Sequence, residues 1–236
     1  MTVQPIDFGK FDPASVVEQE LFAEAKSAGF ETFQLFRDSE VDFSLGRFGS
    51  SSSASFAATS PSHVFIHVRE GGLTLRSGGQ ELALETGQVA IIRQQSSIEW
   101  AQGANTWVDF CSFVDADAAG GGPLMALSSD VALDPSAPSP KDMLLSDVPT
   151  QSGKALFSDS SGRFKAGVWE STPYHRKTIP FPRHEFMCLL EGEVTLTPPD
   201  GEGFTFRKGD VFLIPRGWVA DWNATSFLKK FYCTFT

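Results

Sequence analysis

The feature that most constrains this chain is that it repeats itself. Moving from Leu35 to Leu156, a displacement of 121 residues, also carries Phe36, Asp38, Phe43 and Gly46 onto Phe157, Asp159, Phe164 and Gly167. Without a gap, Pro61, His63, Phe65, Glu70, Gly71 and Leu75 fall on Pro182, His184, Phe186, Glu191, Gly192 and Leu196. After one inserted residue, Gly87, Val89, Ile92, Trp100, Cys111 and Phe113 meet Gly209, Val211, Ile214, Trp222, Cys233 and Phe235. A chain of 236 residues is therefore expected to fold as two copies of one domain rather than as one large core. The expected organisation is a leader over 1–34, a first copy over 35–114, a linker over 115–150 and a second copy over 151–236.

Each copy reads as β. Val64–Val68, Leu73–Arg76, Val89–Arg93, Phe186–Leu190, Glu193–Thr197 and Val211–Ile214 are short apolar runs bounded by turn residues such as Glu70-Gly71-Gly72 and Lys208-Gly209-Asp210. With 21 Gly and 14 Pro punctuating the chain and 22 Phe against 2 Tyr to fill its interiors, the pattern predicts an all-β fold of barrels or sandwiches. One short N-terminal helix is expected, with Asp12 as N-cap, Pro13 in the first turn and Gly29 just past the end. Between the copies, AAGGGP and DPSAPSPKD read as a crossover that cannot pair regularly.

Charge and apolar runs exclude several classes of partner. A formal charge of -10 repels nucleic acid and anionic membrane, and no basic patch offsets it. Runs such as Val89–Ile92 and Val211–Pro215 are too short to span a bilayer. The start of the chain, MTVQPIDFGK, lacks the pattern of a secretory signal. Cys111, Cys188 and Cys233 form no framework, so a reducing, cytoplasmic setting is expected. Gly-rich pieces such as REGGL lack the context of phosphate-binding loops, and there is no Gly-x-Ser-x-Gly elbow.

The segment EFMCLLEGEVTLTPPDGEGFTFRKGDVFLIPRGWVADW resembles the cupin superfamily. Glu185 stands seven residues before Gly192, and Gly209-Asp210 is followed by Pro215-Arg216-Gly217. With GVWESTP at Gly167–Pro173 and GWVADW at Gly217–Trp222, the second copy looks most like the ureidoglycine aminohydrolase and ethanolamine-utilisation branch. By the repeat, the resemblance extends over both halves and implies two tandem cupin barrels of the RmlC-like jelly-roll type. It also implies a divalent transition metal held by two His, a Glu and a third His. Here Glu185 keeps the Glu position, but the His positions fall on Ile179, Phe181 and Ala220. Counting forward from Gly167 instead brings in His175, leaving His175 with Glu185 as an alternative pair. In the first copy the corresponding residues are Val64, Ala58, Ser60 and Ile98. No cofactor is therefore expected.

Strand alternation turns Glu185, Met187 and Leu189 to one face, and Trp218, Ala220 and Trp222 to another shared face. The expected interior is an apolar, aromatic pocket around one acid, lined by Glu185, Met187, Trp218, Trp222, His175, Ile179, Phe181 and Ala220. Burial is expected to raise the pKa of Glu185 and equip it as a general acid or base; alternatively the carboxyl hydrogen-bonds a neighbour and fixes the barrel. On the first view, Glu185→Gln abolishes binding and leaves the melting temperature nearly intact. His63 and His184 flank the Glu position, face away, and suit hydrogen bonds at turns. Three functions stay open: a metal-independent small-molecule-binding bicupin, a metal-dependent enzyme of the aminohydrolase or isomerase kind, and a scaffold without ligand. A homodimer is the expected assembly.

Overall fold

The computed structural model describes residues 4–10, 17–18, 21–115 and 122–236. It divides into two compact units, one of Met1–Phe11, Ser129–Ser158 and Arg163–Thr236, the other of Asp12–Ser128 and Asp159–Gly162. Each unit is a pair of antiparallel sheets. In the first-repeat unit a seven-stranded sheet runs Leu124–Leu127, Val89–Ile92, His63–Glu70, Thr106–Phe113, Phe43–Ser50, Glu31–Asp38 and Val17–Glu18. A four-stranded sheet runs Ala54–Thr59, Ser97–Gln102, Gly72–Ser77 and Gln80–Glu85. The second-repeat unit has the same order, from Ile6–Asp7 through Val211–Ile214, His184–Glu191, Leu228–Phe235, Phe164–Ser171 and Gln151–Ser158 to Asp134–Ser136. Its four-stranded sheet is Tyr174–Pro180, Val219–Ala224, Glu193–Leu196 and Phe204–Arg207. Two jelly-roll domains follow from the duplicated pattern of short alternating strands.

The register reproduces the repeat at single-residue resolution. Phe48 pairs with Val108 in one unit and Trp169 with Lys230 in the other. The sheets also bend at matching places. A register shift between Gln34 and Phe36 recurs between Ala155 and Phe157, and beside each a glycine admits the neighbouring backbone. A Cβ on Gly46 would stand 2.0 Å from the Phe33 carbonyl oxygen, and one on Gly167 would stand 2.0 Å from that of Lys154. No side chain fits there, which explains why both copies carry Gly.

The ends of the chain differ from the sequence expectation in detail. The leader contributes Val17–Glu18, an edge strand paired with Gln34 and Phe33, and its helix is a short 3-10 turn over Ala23–Ala28. Gly29 closes it in the left-handed conformation, φ 81°, as its place past the helix suggested; Asp12 and Pro13 lie outside the described residues. Ile6–Asp7 pairs with Leu213 and Phe212, and Phe8 meets Phe186 edge-on at 5.3 Å, so the N-terminus belongs to the second-repeat unit. The crossover pairs after all. Leu124–Leu127 and Asp134–Ser136 each add an edge strand, because Pro is tolerated where one side of the ladder stays open.

The first-repeat interior is closed by aromatic packing. The rings of Phe30, Phe48, Phe56 and Trp100 lie within 4.9 to 6.4 Å of one another, and Val64, Ile66 and Val108 complete the same buried cluster.

Candidate functional site

The second-repeat unit departs from that filled interior. Alternation along His184–Glu191 turns Glu185 and Met187 inward, and the facing strand registers Thr234 against Glu185 and Lys230 against Leu189. From that position the Lys230 ammonium donates to Glu185 Oε1 at 2.8 Å and approaches Met187 Sδ at 3.1 Å. It also lies 4.9 Å from the ring centres of both Trp169 and Trp222, a sandwich that suits a cation stripped of water. Arg183 Nε stands 3.7 Å from the other carboxylate oxygen.

These charges settle the protonation of Glu185. Burial pushes the carboxyl up, but the Lys230, Arg183 and Arg176 charges and the Lys230 hydrogen bond together outweigh it, so its pKa falls below the ordinary value. The expected rise is therefore corrected: Glu185 is a carboxylate in an ion pair, not a protonated acid. Burial also lowers the Lys230 pKa against the attraction of Glu185.

Beside the pair lies a cavity of about 490 Å³. Trp169, Tyr174, Phe181 and Trp222 provide its aromatic walls. Burial pushes the Tyr174 phenol pKa up, outweighing a hydrogen bond with Gln151 that lowers it. Arg176 reaches the cavity because of a bulge. In the first repeat Trp100 opposes Phe56 and Ile98 opposes Ala58. In the second, Trp222 opposes Arg176 while Ala220 opposes Ile179, with a register irregularity between. The extra residue turns Arg176 into the place that Phe56 fills in the first repeat. Its guanidinium lies 4.9 Å from the Phe181 ring, and its Nε and Nη2 are buried without a hydrogen-bond partner among the described residues. The indole Nε1 of Trp222 is likewise buried and unpartnered.

Of the residues expected at the site, Glu185, Phe181 and Trp222 line the cavity, and Met187 lies fully buried beneath it as a contact of Lys230. Trp218 does not line it; it stacks on Phe181 at 6.0 Å and meets Phe204 edge-on at 5.9 Å. Ala220 is packed into the core and Ile179 stands opposite it. His175 is turned to the other face of its sheet, where Nε2 meets Asp221 Oδ2 at 2.9 Å, so it does not approach Glu185. Alternation is the reason, since Tyr174 and Arg176 on either side take the inward direction. His63 and His184 do hold turns, each Nδ1 accepting a backbone N–H at 3.1 Å, from Gln94 and Arg216 respectively. All three cysteines are buried.

The metal site that the fold implies does not fit these residues. Ile179, Phe181 and Ala220 offer no donor atoms, His175 faces away, and an ammonium sits against the one carboxylate. A dication there would compete with Lys230 for Glu185 and meet Arg183 and Arg176 nearby. No metal-dependent step follows from this arrangement.

Sequence reasoning missed Lys230 and Arg176. A signal for the first was present: where the second copy has Glu185 and Lys230, the first has Val64 and Val108, both charges vanishing together. Arg176 left no such trace, because a gapless alignment sets Lys177, not Arg176, on Phe56.

The fold is that of a bicupin: two jelly-roll domains of one strand order, with the larger of the equivalent cavities, about 490 Å³ against about 140 Å³, in the second. A family model for the EutQ-like cupin domain matches residues 158–232. Among solved structures, a protein of unknown function of the DUF861 family from Pseudomonas syringae pv. tomato is 26% identical with a TM-score of 0.83, the match covering 98% of this chain and 99% of that one. A cupin 2 conserved barrel domain protein from Leptotrichia buccalis is 11% identical with a TM-score of 0.62, covering 100% and 98%. Protein Ylba from E. coli, also of the DUF861 family, is 12% identical with a TM-score of 0.58, covering 96% and 89%. The last two likenesses bear on the fold alone. No curated protein matches the sequence. The whole chain thus has the fold of two tandem cupin barrels, and residues 158–232 match the EutQ-like cupin domain.

Proposed function

We propose that this bicupin binds a small organic molecule in its second barrel without a metal, and that the first barrel is structural. The observation that carries this reading is the contrast between equivalent interiors. Phe30, Phe48, Phe56 and Trp100 close the first, whereas in the second Gln151, Trp169, Arg176 and Trp222 surround a cavity of about 490 Å³. That size, with aromatic walls and a few polar anchors, is typical of small-molecule sites.

The Glu185–Lys230 pair sets one wall of the site. Two fixed opposite charges orient a polar ligand, while the Trp169 and Trp222 faces hold the ammonium in place when water leaves. Elemental analysis of protein purified without chelator, together with ligand-observed NMR on a chemically mixed fragment set, tests the reading. The expected result is substoichiometric metal and fragments whose signals respond to Trp222→Ala. Stoichiometric transition metal, or the absence of any fragment sensitive to that substitution, would overturn it.

A further inference from the structure

We infer that the ligand of the second barrel is a small carboxylate with a flat, apolar body, its carboxylate received by Arg176 and Trp222. The inference rests on the proposed small-molecule site and names what that site selects. Charge is the first observation. The chain as a whole carries -10, yet the cavity is lined by Lys154, Lys165, Arg176, Arg183 and Lys230 against one carboxylate, Glu185; Lys154 is paired with Asp134 at 2.6 Å, which leaves Lys165, Arg176 and Arg183 in excess of the Glu185–Lys230 pair. Glu185 is already engaged by Lys230 at 2.8 Å. A concave site of excess positive charge in an acidic protein attracts an anion and raises its local concentration.

Unsatisfied donors are the second observation. Buried N–H groups are almost always paired, and an orphan is costly. Here the Nε and Nη2 of Arg176 and the Nε1 of Trp222 are orphaned together, on residues directly opposed in the sheet that both line the cavity; these three atoms are sealed in its wall, so receiving a carboxylate requires the guanidinium and indole to turn toward the cavity. A guanidinium presents two parallel N–H groups that match the two oxygens of a carboxylate. The body of the ligand then falls among Trp169, Tyr174, Phe181 and Trp222, whose flat faces favour a planar group over a branched or strongly hydrated one. Inorganic phosphate supplies the charge without the apolar body.

The cavity walls include two of the chain's five tryptophans, so intrinsic fluorescence reports occupancy. Three probes separate the possibilities: benzoate, its neutral analogue benzyl alcohol, and inorganic phosphate. Benzoate is expected to titrate saturably, with benzyl alcohol at least tenfold weaker and phosphate without effect. Arg176→Met should weaken benzoate at least tenfold and leave benzyl alcohol unchanged. Its melting temperature should hold or rise, since a desolvated guanidinium whose Nε and Nη2 lack hydrogen-bond partners is removed. Equal binding of benzyl alcohol and benzoate, tighter binding of phosphate than of benzoate, or an Arg176→Met variant that binds benzoate like the parent would overturn the carboxylate assignment and leave the cavity as a binding site. Silence of all three probes in a protein whose cavity does bind neutral fragments by NMR would do the same. Silence of every fragment would sink the binding reading itself.

Discussion

Lys230 Nζ donates to Glu185 Oε1 at 2.8 Å between adjacent strands of the second barrel, with side chains only 6% and 12% exposed. The equivalent positions in the first barrel are Val108 and Val64, both fully buried. One scaffold thus holds, at one pair of places, either an ion pair or a pair of apolar side chains. Buried ion pairs of this kind often contribute little net stability, but removing one partner strands the other.

Glu185→Gln should accordingly destabilise the protein, by about 3 kcal/mol, because the Lys230 ammonium loses its counter-charge while remaining buried. This reverses the expectation, formed from the sequence, that the substitution leaves the melting temperature intact. Urea unfolding measures it, and a loss below about 0.5 kcal/mol, the size of an ordinary surface change, would show that the pair is not coupled.

Replacing both members, Glu185→Val with Lys230→Val, copies the first barrel into the second. The double variant should be more stable than either single one, approaching or exceeding the parent. A double-mutant cycle by chemical denaturation checks this, and additive losses would contradict it.

The pair also fixes the direction of pH dependence. The Glu185 pKa is lower folded than its ordinary 4.5, so below that value the unfolded chain binds more protons. Its contribution to stability is full above 4.5 and lost as pH falls through the folded value. The Lys230 pKa is lower folded than its ordinary 10.5, so the same sign applies at the alkaline end: stability rises with pH between the folded value and 10.5. Denaturant midpoints across pH should show both slopes in the parent, and both should flatten in the double Val variant.

Gly46→Ala and Gly167→Ala should each destabilise by roughly 1 to 3 kcal/mol or more, since the added methyl meets a backbone carbonyl that cannot move without breaking the bulge. Thermal melts of the two variants should shift in parallel. If either is neutral, the close approach is absent in solution.

Phe48→Ala should cost about 3 to 5 kcal/mol, because Phe48 is fully buried at the centre of the first barrel's aromatic cluster. The same truncation at Trp169, its equivalent on the cavity wall, should cost less, since part of that ring faces open space. Paired unfolding curves compare them.

The duplicated domain, several of its short strands and the turns were legible in the sequence, because alternation and glycine at fixed offsets are local signals that repeat. His63 and His184 could be assigned to turns for the same reason. The position of Glu185 was legible too, but its protonation was not. That depended on Lys230, forty-five residues away in sequence and placed beside it only by strand pairing.

By itself the sequence determined two β domains, neither with the histidines that the cupin resemblance implies as metal ligands. Only the tertiary structure decided that the acid is ionised, that His175 turns outward to Asp221, and that a single-residue bulge aims Arg176 at the cavity. Patterning acts on which face a side chain takes within one strand. Charge partnership and bulges depend on how strands register against one another, and that is set by the packing of the whole domain.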